Sequence, residues 1–353
     1  MTPLKRDGFP LTVIRLIVLI LVAAPWCASS CRASVTASRS SDTKAAGSPE
    51  TVPLGFWLSS IGKFNFPDNS FRATFWISGT LPKDQEKLLT KLNFVNADSV
   101  GFLNSSIVRE AAGAVTYQKV TGTFGNEWNL RNYPFDHHTL RISMNSCDTT
   151  DRLVLTANEG VSGYDPDISQ LGKNAPEGVN GWRITGFRLL GSTADFSQTP
   201  DKNRNSAVSC STVTAEIDIR RCSYAIFWKM TAAAFAAMIL VIITYFLPIE
   251  GAENMSPYFA TFVGAIFAIV INLKSANAEL GSSSDVTLID KIHLEALAYV
   301  LLGAFVTLLG RLRIAAGSPP AGINRIRMLI ALISLLGMAA LISCQVFFAE
   351  VNG

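Results

Sequence analysis

The sequence predicts an all-β sandwich followed by a four-helix transmembrane bundle. Three observations predict it. Hydrophobic residues make up 49% of the 353 positions and charged residues 16%, a balance too apolar for an average soluble protein. The apolar excess is concentrated at the extreme N-terminus and in the last third of the chain. Between them, short runs of β-branched and aromatic residues are separated by Gly, Pro, Asn and Asp clusters. The net charge of +3 is small and spread out, and no basic run or aromatic-basic stripe points to nucleic acid.

Residues 1–33 read as an export signal. Lys5 and Arg6 give a positive start, Leu16–Ala24 forms an apolar core too short to span a bilayer, and small residues follow. Cleavage is expected, with an uncleaved anchor as the alternative. Residues 34–50 are small and polar and read as a flexible leader.

Residues 51–221 carry the strand signals. They fall at Gly55–Ile61, Ser70–Ile77, Ala114–Val120, Thr139–Met144, Arg152–Leu155, Gly181–Leu190 and Val208–Ile219. Thr212–Ile219 alternates cleanly. Val213, Ala215, Ile217 and Ile219 share one side, and Thr212, Thr214, Glu216 and Asp218 the other, the pattern of a strand with one buried face. So many short strands in one segment suggest a sandwich.

Residues 222–353 hold four apolar segments, at 225–247, 257–273, 292–309 and 326–348. Arg311, Arg313, Arg325 and Arg327 crowd the connection between the last two, which predicts that it faces the cytoplasm. The β-domain and the C-terminus are then both outside, in agreement with an export signal. Trp228 and Lys229 at the start of the first segment suit the outer interface, and membrane lipid is a necessary partner.

The second segment has a stripe of small and polar residues: Pro257, Thr261, Gly264, Ala268, Asn272 and Ser275. Phe259, Phe262, Ile266, Ile269 and Leu273 fall on the other face. Ser256-Pro257 makes a good helix start. The stripe reads either as a pore lining or as ordinary close packing between helices. Glu250 and Glu253 precede it.

Three local motifs, in this order on this topology, carry a family resemblance. They are Asn132-Tyr133-Pro134-Phe135-Asp136 with the following His137–Ile142, then Ile219-Arg220-Arg221-Cys222-Ser223-Tyr224, then Thr287-Leu288-Ile289-Asp290-Lys291. Together with Val52–Ile77 they resemble the pentameric ligand-gated ion channels, also called Cys-loop receptors. The likeness covers most of the chain. The second loop cysteine of the eukaryotic receptors is missing near Leu140, and only Arg311 to Arg325 separates the last two segments, so the resemblance is to prokaryotic members. It implies an immunoglobulin-like receptor domain, a homo-pentamer in a bacterial inner membrane, inorganic ions as cargo, and opening by an unknown small ligand or a proton.

The resemblance also assigns residues. Tyr133, Pro134, Phe135 and Asp136 would rest at the membrane surface, with Asp136 paired to Arg220, or alternatively to Arg221, and with Asp290 and Lys291 on the facing loop. In five copies Glu253, with Glu250 nearby, would form a carboxylate ring favouring cations. The family places a bulky apolar gate midway along the pore. The stripe puts Gly264 there; a shifted register brings Ile266 or Phe267 instead, or the gate falls at Ile271. Trp182 and Tyr164, with Phe196 on the capping loop Asp195–Asn205, are the candidate aromatics of a ligand pocket, Trp182 being otherwise a core residue of its strand.

If the strand after Asp136 runs antiparallel to the one ending at Arg220, opposed residue numbers keep a constant sum. The sums for Asp136 with Arg220 and Cys147 with Cys210 differ by one, which predicts a Cys147–Cys210 disulfide. Cys344 reads as a packed small hydrophobe. His137, His138 and His293 lack metal-ligand spacing, and no nucleophile motif, phosphate loop or cofactor fingerprint appears, so no enzyme, metal or cofactor is expected. The competing reading is a membrane-anchored sensor of the same fold that does not conduct.

Overall fold

The computed structural model describes residues 50–81, 88–110, 113–146, 153–165, 181–196, 208–221, 224–249, 255–281 and 285–352. The expected signal peptide, the leader as far as residue 49, Cys147, Cys222, Glu250 and Glu253 lie outside the described residues, as does most of the expected capping loop. Among the described residues ten strands come first: β1 (Glu50–Asn65), β2 (Ser70–Leu81), β3 (Asn93–Phe94), β4 (Ala97–Glu110), β5 (Gly113–Gly125), β6 (His137–Ser146), β7 (Leu153–Ala157), β8 (Gly163–Tyr164), β9 (Trp182–Phe196) and β10 (Val208–Arg221). One sheet runs β4-β5-β2-β1-β7, with β8 also paired to β1; the other runs β3-β6-β10-β9.

The sandwich follows from period-two burial on both sheets. β2 turns Phe71, Ala73, Phe75, Ile77 and Leu81 inward, and β10 turns Val213, Ala215, Ile217 and Ile219 inward. The two faces meet in one core, where Phe56 of β1 stacks on Phe187 of β9 with ring centroids 5.8 Å apart. Each fully buried side chain of this size contributes about 1.5–3 kcal/mol. β4 was not foreseen, and the reason is physical. It is an edge strand, and Phe102, Leu103, Ile107 and Val108 are all exposed, so it has no single buried face to write an alternating pattern. Cys210 is disulfide-bonded, Cys344 is free and exposed, and the partner therefore lies outside the described residues. The β10–β6 register runs from Arg220 opposite His137 to Ser211 opposite Ser146.

Four helices follow among the described residues: α1 (Ala225–Phe246), α2 (Met255–Leu280), α3 (Leu288–Ala315) and α4 (Pro320–Asn352). Each is long and apolar enough to cross a membrane, so the chain is a multi-pass membrane protein with a β-domain. α2, α3 and α4 outrun the apolar segments from which they are legible. Lys274–Leu280, for example, is polar yet helical, because α2 continues past its apolar stretch to reach the sandwich. Ala234, Ala237 and Val241 of α1 pack with Phe262, Ala265 and Ile269 of α2 and with Ala296, Tyr299 and Val300 of α3. α4 is attached more lightly and is mostly exposed.

At the end of the bundle far from the sandwich, Arg327 of α4 is almost fully buried. Its Nη2 donates to Thr244 O at 3.3 Å and to Thr307 Oγ1 at 3.4 Å, and its Nη1 donates to Leu247 O at 3.3 Å and Asn324 Oδ1 at 3.2 Å. No carboxylate is among its described partners. Instead the guanidinium covers the carbonyls that end α1, where the helix dipole is negative. Arg327→Ala should therefore cost about 1–3 kcal/mol. Hydrogen exchange should report it as faster amide exchange in the last turn of α1, with the sandwich amides unchanged.

Candidate functional site at the sandwich–bundle junction

One apolar cluster joins the two halves of the molecule. Leu130, Tyr133 and Phe135 come from the loop before β6, Phe227 and Met230 from α1, and Ala276 and Leu280 from α2. Leu288, Ile289 and Ile292 of α3 and Ile342 and Ala349 of α4 complete it, so residues of all four helices share one cluster with a loop of the sandwich. The β1–β2 turn also docks here. Gly281, just past α2, has φ +76°, and a Cβ there would stand 2.6 Å from Pro67 Cα. Only glycine accepts both that backbone and that contact.

Beneath the cluster lies a buried polar knot. Arg221 Nε donates to Asp136 Oδ1 at 2.9 Å, and the Arg221 backbone N–H donates to Asp136 O at 3.2 Å. His138 Nε2 stands 2.6 Å from Asp136 Oδ2. An ionised carboxylate only accepts, so Nε2 carries the proton. The three side chains are 1–4% exposed. The guanidinium carbon sits 4.0 Å from the Trp182 ring centroid and 4.7 Å from that of Tyr133, so aromatic faces replace the water it has lost. Burial alone would raise the Asp136 carboxyl, but the His138 hydrogen bond and the Arg221 charge outweigh it and hold it below its ordinary value. Burial pushes the Tyr133 hydroxyl from 10.0 up to about 12, against the pull of Arg221.

The partner of Asp136 is thus Arg221, not the first-choice Arg220. Strand parity is the reason. Arg221 continues the inward series Ile217, Ile219, whereas Arg220 lies on the other face and its Nη2 donates to Glu350 O at 2.7 Å. Tyr224 Oη donates to Glu350 Oε1 at 2.6 Å, so the end of α4 is fastened to the β10–α1 junction. Asp290 and Lys291 also differ from expectation. Asp290 serves the N-terminal cap of α3, its Oδ2 accepting from Thr287 N at 2.9 Å and from Thr287 Oγ1 at 2.8 Å, and Lys291 is exposed. The bridge to the loop is built by their neighbours: Leu288 N donates to Arg131 O at 3.0 Å, and Arg131 pairs with Asp285 at 3.1 Å.

The expected ligand aromatics do not form one pocket. Trp182 is a core residue of the sandwich, as its alternative reading had it, buried against Arg221 and tilted towards Phe64. Tyr164 packs beside Phe187 at the edge of the core. Phe196 ends β9 opposite Val208, and its side chain lies outside the described residues. A different aromatic surface lies on the outward face of the larger sheet, where a pocket of about 470 Å³ is lined by Trp57, Trp76, Ser78, Tyr117, Asn158 and Val161. Trp57 stands directly opposite Trp76 across the strands, and Lys119 Nζ lies 5.5 Å from the Trp76 ring centroid. The signal was present in the sequence as large aromatics at the outward positions of alternating strands.

On α2, Tyr258, Phe262, Ala265 and Ile269 face the other helices. The side turned away carries Ser256, Ala260, Val263, Phe267, Ile271, Lys274 and Ala278, with Phe267 62% and Ile271 63% exposed. Pro257, Gly264, Ala268 and Ser275 flank this face and are exposed, and Thr261 is half-buried. Asn272 does not belong to it. Its Nδ2 donates to Met230 O of α1 and to His293 Nε2 of α3, a bundle contact that a stripe of small and polar residues cannot distinguish from a lining position. Gly264 has open space around the position of a Cβ, so packing within the chain does not require it.

No protein-family model matches the chain, and no curated protein matches it.

Removing one member of a buried pair leaves the other charged and unsolvated. Asp136→Ala and Arg221→Ala should therefore each cost about 3–5 kcal/mol in thermal or denaturant unfolding, and the double variant should cost clearly less than their sum. Two limbs are expected in the pH profile of stability. Because Asp136 is held below its ordinary value, its contribution is complete above the ordinary carboxylate range and is lost as pH falls through the lowered native value. Because Tyr133 is raised from 10.0 to about 12, stability should fall between those values as the unfolded hydroxyl ionises first, and Tyr133→Phe should remove this alkaline limb.

Proposed function

We propose that the chain is one subunit of a pentameric ligand-gated ion channel of the prokaryotic type, cation-selective, with its β-domain and C-terminus outside a bacterial inner membrane. The observation that carries the reading is the junction. The sandwich loop Tyr133–Asp136 shares one apolar cluster with residues of all four helices, and a buried ion pair pins that loop to the end of β10, the strand that precedes α1. Displacement of either sheet is thereby passed to the base of the first helix without slack.

Two further features fit. The face of α2 turned away from the bundle is exposed along its whole length, and a five-fold ring of such faces would enclose an axis. Phe267 and Ile271 are then the apolar constriction, which gates by dewetting, and Glu253 the carboxylate ring that favours cations. The Trp57–Trp76–Tyr117 surface is the pocket for a small ligand, its rings offering faces to a cation or a planar group, and Ser78 and Asn158 offering hydrogen bonds.

Native mass spectrometry of the detergent-purified protein should give five subunits. A monomer or dimer that persists across mild detergents would leave no ring for a pore and would favour the anchored sensor. In proteoliposomes, Glu253→Ala should shift the reversal potential away from cation preference, and Phe267→Ser should raise resting ion flux. An unchanged reversal potential would remove Glu253 from the selectivity role.

A further inference from the structure

Among the described residues of the membrane-spanning helices, Glu295 of α3 is a carboxyl group with no ion-pair partner. It lies two turns in from the sandwich end of α3, opposite Gln345 of α4. Gln345 Nε2 donates to Glu295 Oε1. The remaining oxygen of the carboxyl group, Glu295 Oε2, and the amide oxygen, Gln345 Oε1, are enclosed and have no hydrogen-bond partner. Both unsatisfied atoms are acceptors when the carboxyl is ionised, so the pair as a whole lacks one hydrogen. A proton on Oε2 supplies it. A carboxylic acid and a carboxamide are matched in shape, and they close a ring in which each gives one hydrogen and accepts one. An ionised carboxylate at this depth would stand beside a second oxygen with no donor between them, in a medium that solvates neither.

The geometry points to a proton-binding site between α3 and α4. Glu295 takes one proton from water at Oε2, and the neutral acid and the Gln345 amide then clasp the two helices together. Loss of the proton back to water converts the clasp to a single hydrogen bond with two facing acceptors, and α4 is released locally. The charged group acting on Glu295 is Lys291, one turn nearer the sandwich on α3 and exposed; α4 presents the neutral Gln345. The clasp does not depend on whether the chain conducts.

The test uses the full-length protein in lipid nanodiscs. Infrared difference spectra between mildly acid and alkaline buffer should show the carbonyl stretch of a protonated carboxylic acid that is lost on alkalinisation. Glu295→Gln should abolish that band. Amide hydrogen exchange around Gln345 should speed up several-fold on alkalinisation beyond the intrinsic pH dependence. In Glu295→Gln, whose amide supplies the missing hydrogen permanently, exchange there should stay slow at both pH values. Gln345→Leu should keep exchange fast at both. The inference is overturned if the band survives in Glu295→Gln, or if exchange near Gln345 still depends on pH in that variant, because Glu350 nearer the end of α4 would then be the titrating group.

Discussion

The contact between Asp136 and Arg221 sets most of what is particular about this molecule. A sandwich and a helical bundle have no intrinsic reason to hold a fixed relation, since each can bury its own core. Here a carboxylate from a loop and a guanidinium from the end of a strand are removed from water together and walled in by Trp182, Tyr133 and His138. A buried pair of this kind contributes little net stability compared with an apolar substitute, but breaking it one-sidedly is costly. It therefore acts on geometry rather than on energy: it gives the loop one position on the strand. The apolar cluster of Leu130, Phe135, Phe227 and Leu288 then has a defined surface on which to close.

The outer layer of the junction is of a different kind. The Arg131–Asp285 pair is exposed at 68% and 35%, so solvent screens it and its worth is small. The backbone bond from Leu288 to Arg131 and the glycine at 281 are more informative, because they require close approach of main chains. The junction thus has a dry centre of buried, paired charge and a solvent-screened rim.

How much of this could be read in advance depended on whether a pattern has a period. The two-layer sandwich and the four apolar helices were legible because burial alternates in β2 and β10 and persists in α1 to α4. The same alternation along Val213–Ile219 places Arg221 on the buried face, and this parity decides between Arg220 and Arg221, which motif position alone leaves open. Edge strand β4 was not legible, since a strand without a buried face writes no pattern. The role of Trp182 and that of Asn272 were also hidden, for another reason. Each depends on a partner more than twenty residues away, Arg221 in one case and His293 in the other, and one-dimensional spacing does not show which distant group a side chain meets.

The light attachment of α4 has a mechanical consequence. With 33 residues, it is about 50 Å long, against a hydrocarbon layer of about 30 Å. It is tied near one end by Arg327 and at the other by Glu350, while much of its middle is presented to lipid. A rod anchored at both tips and immersed along its length behaves as a gauge of its surroundings. When the bilayer thins, the rod must tilt, and the load appears at its anchors rather than along its shaft. One of those anchors is the carbonyl group that Arg220 holds, next to the buried knot. A change in bilayer thickness would therefore load the strand end that carries Arg220 and, next to it, Arg221 of the buried knot.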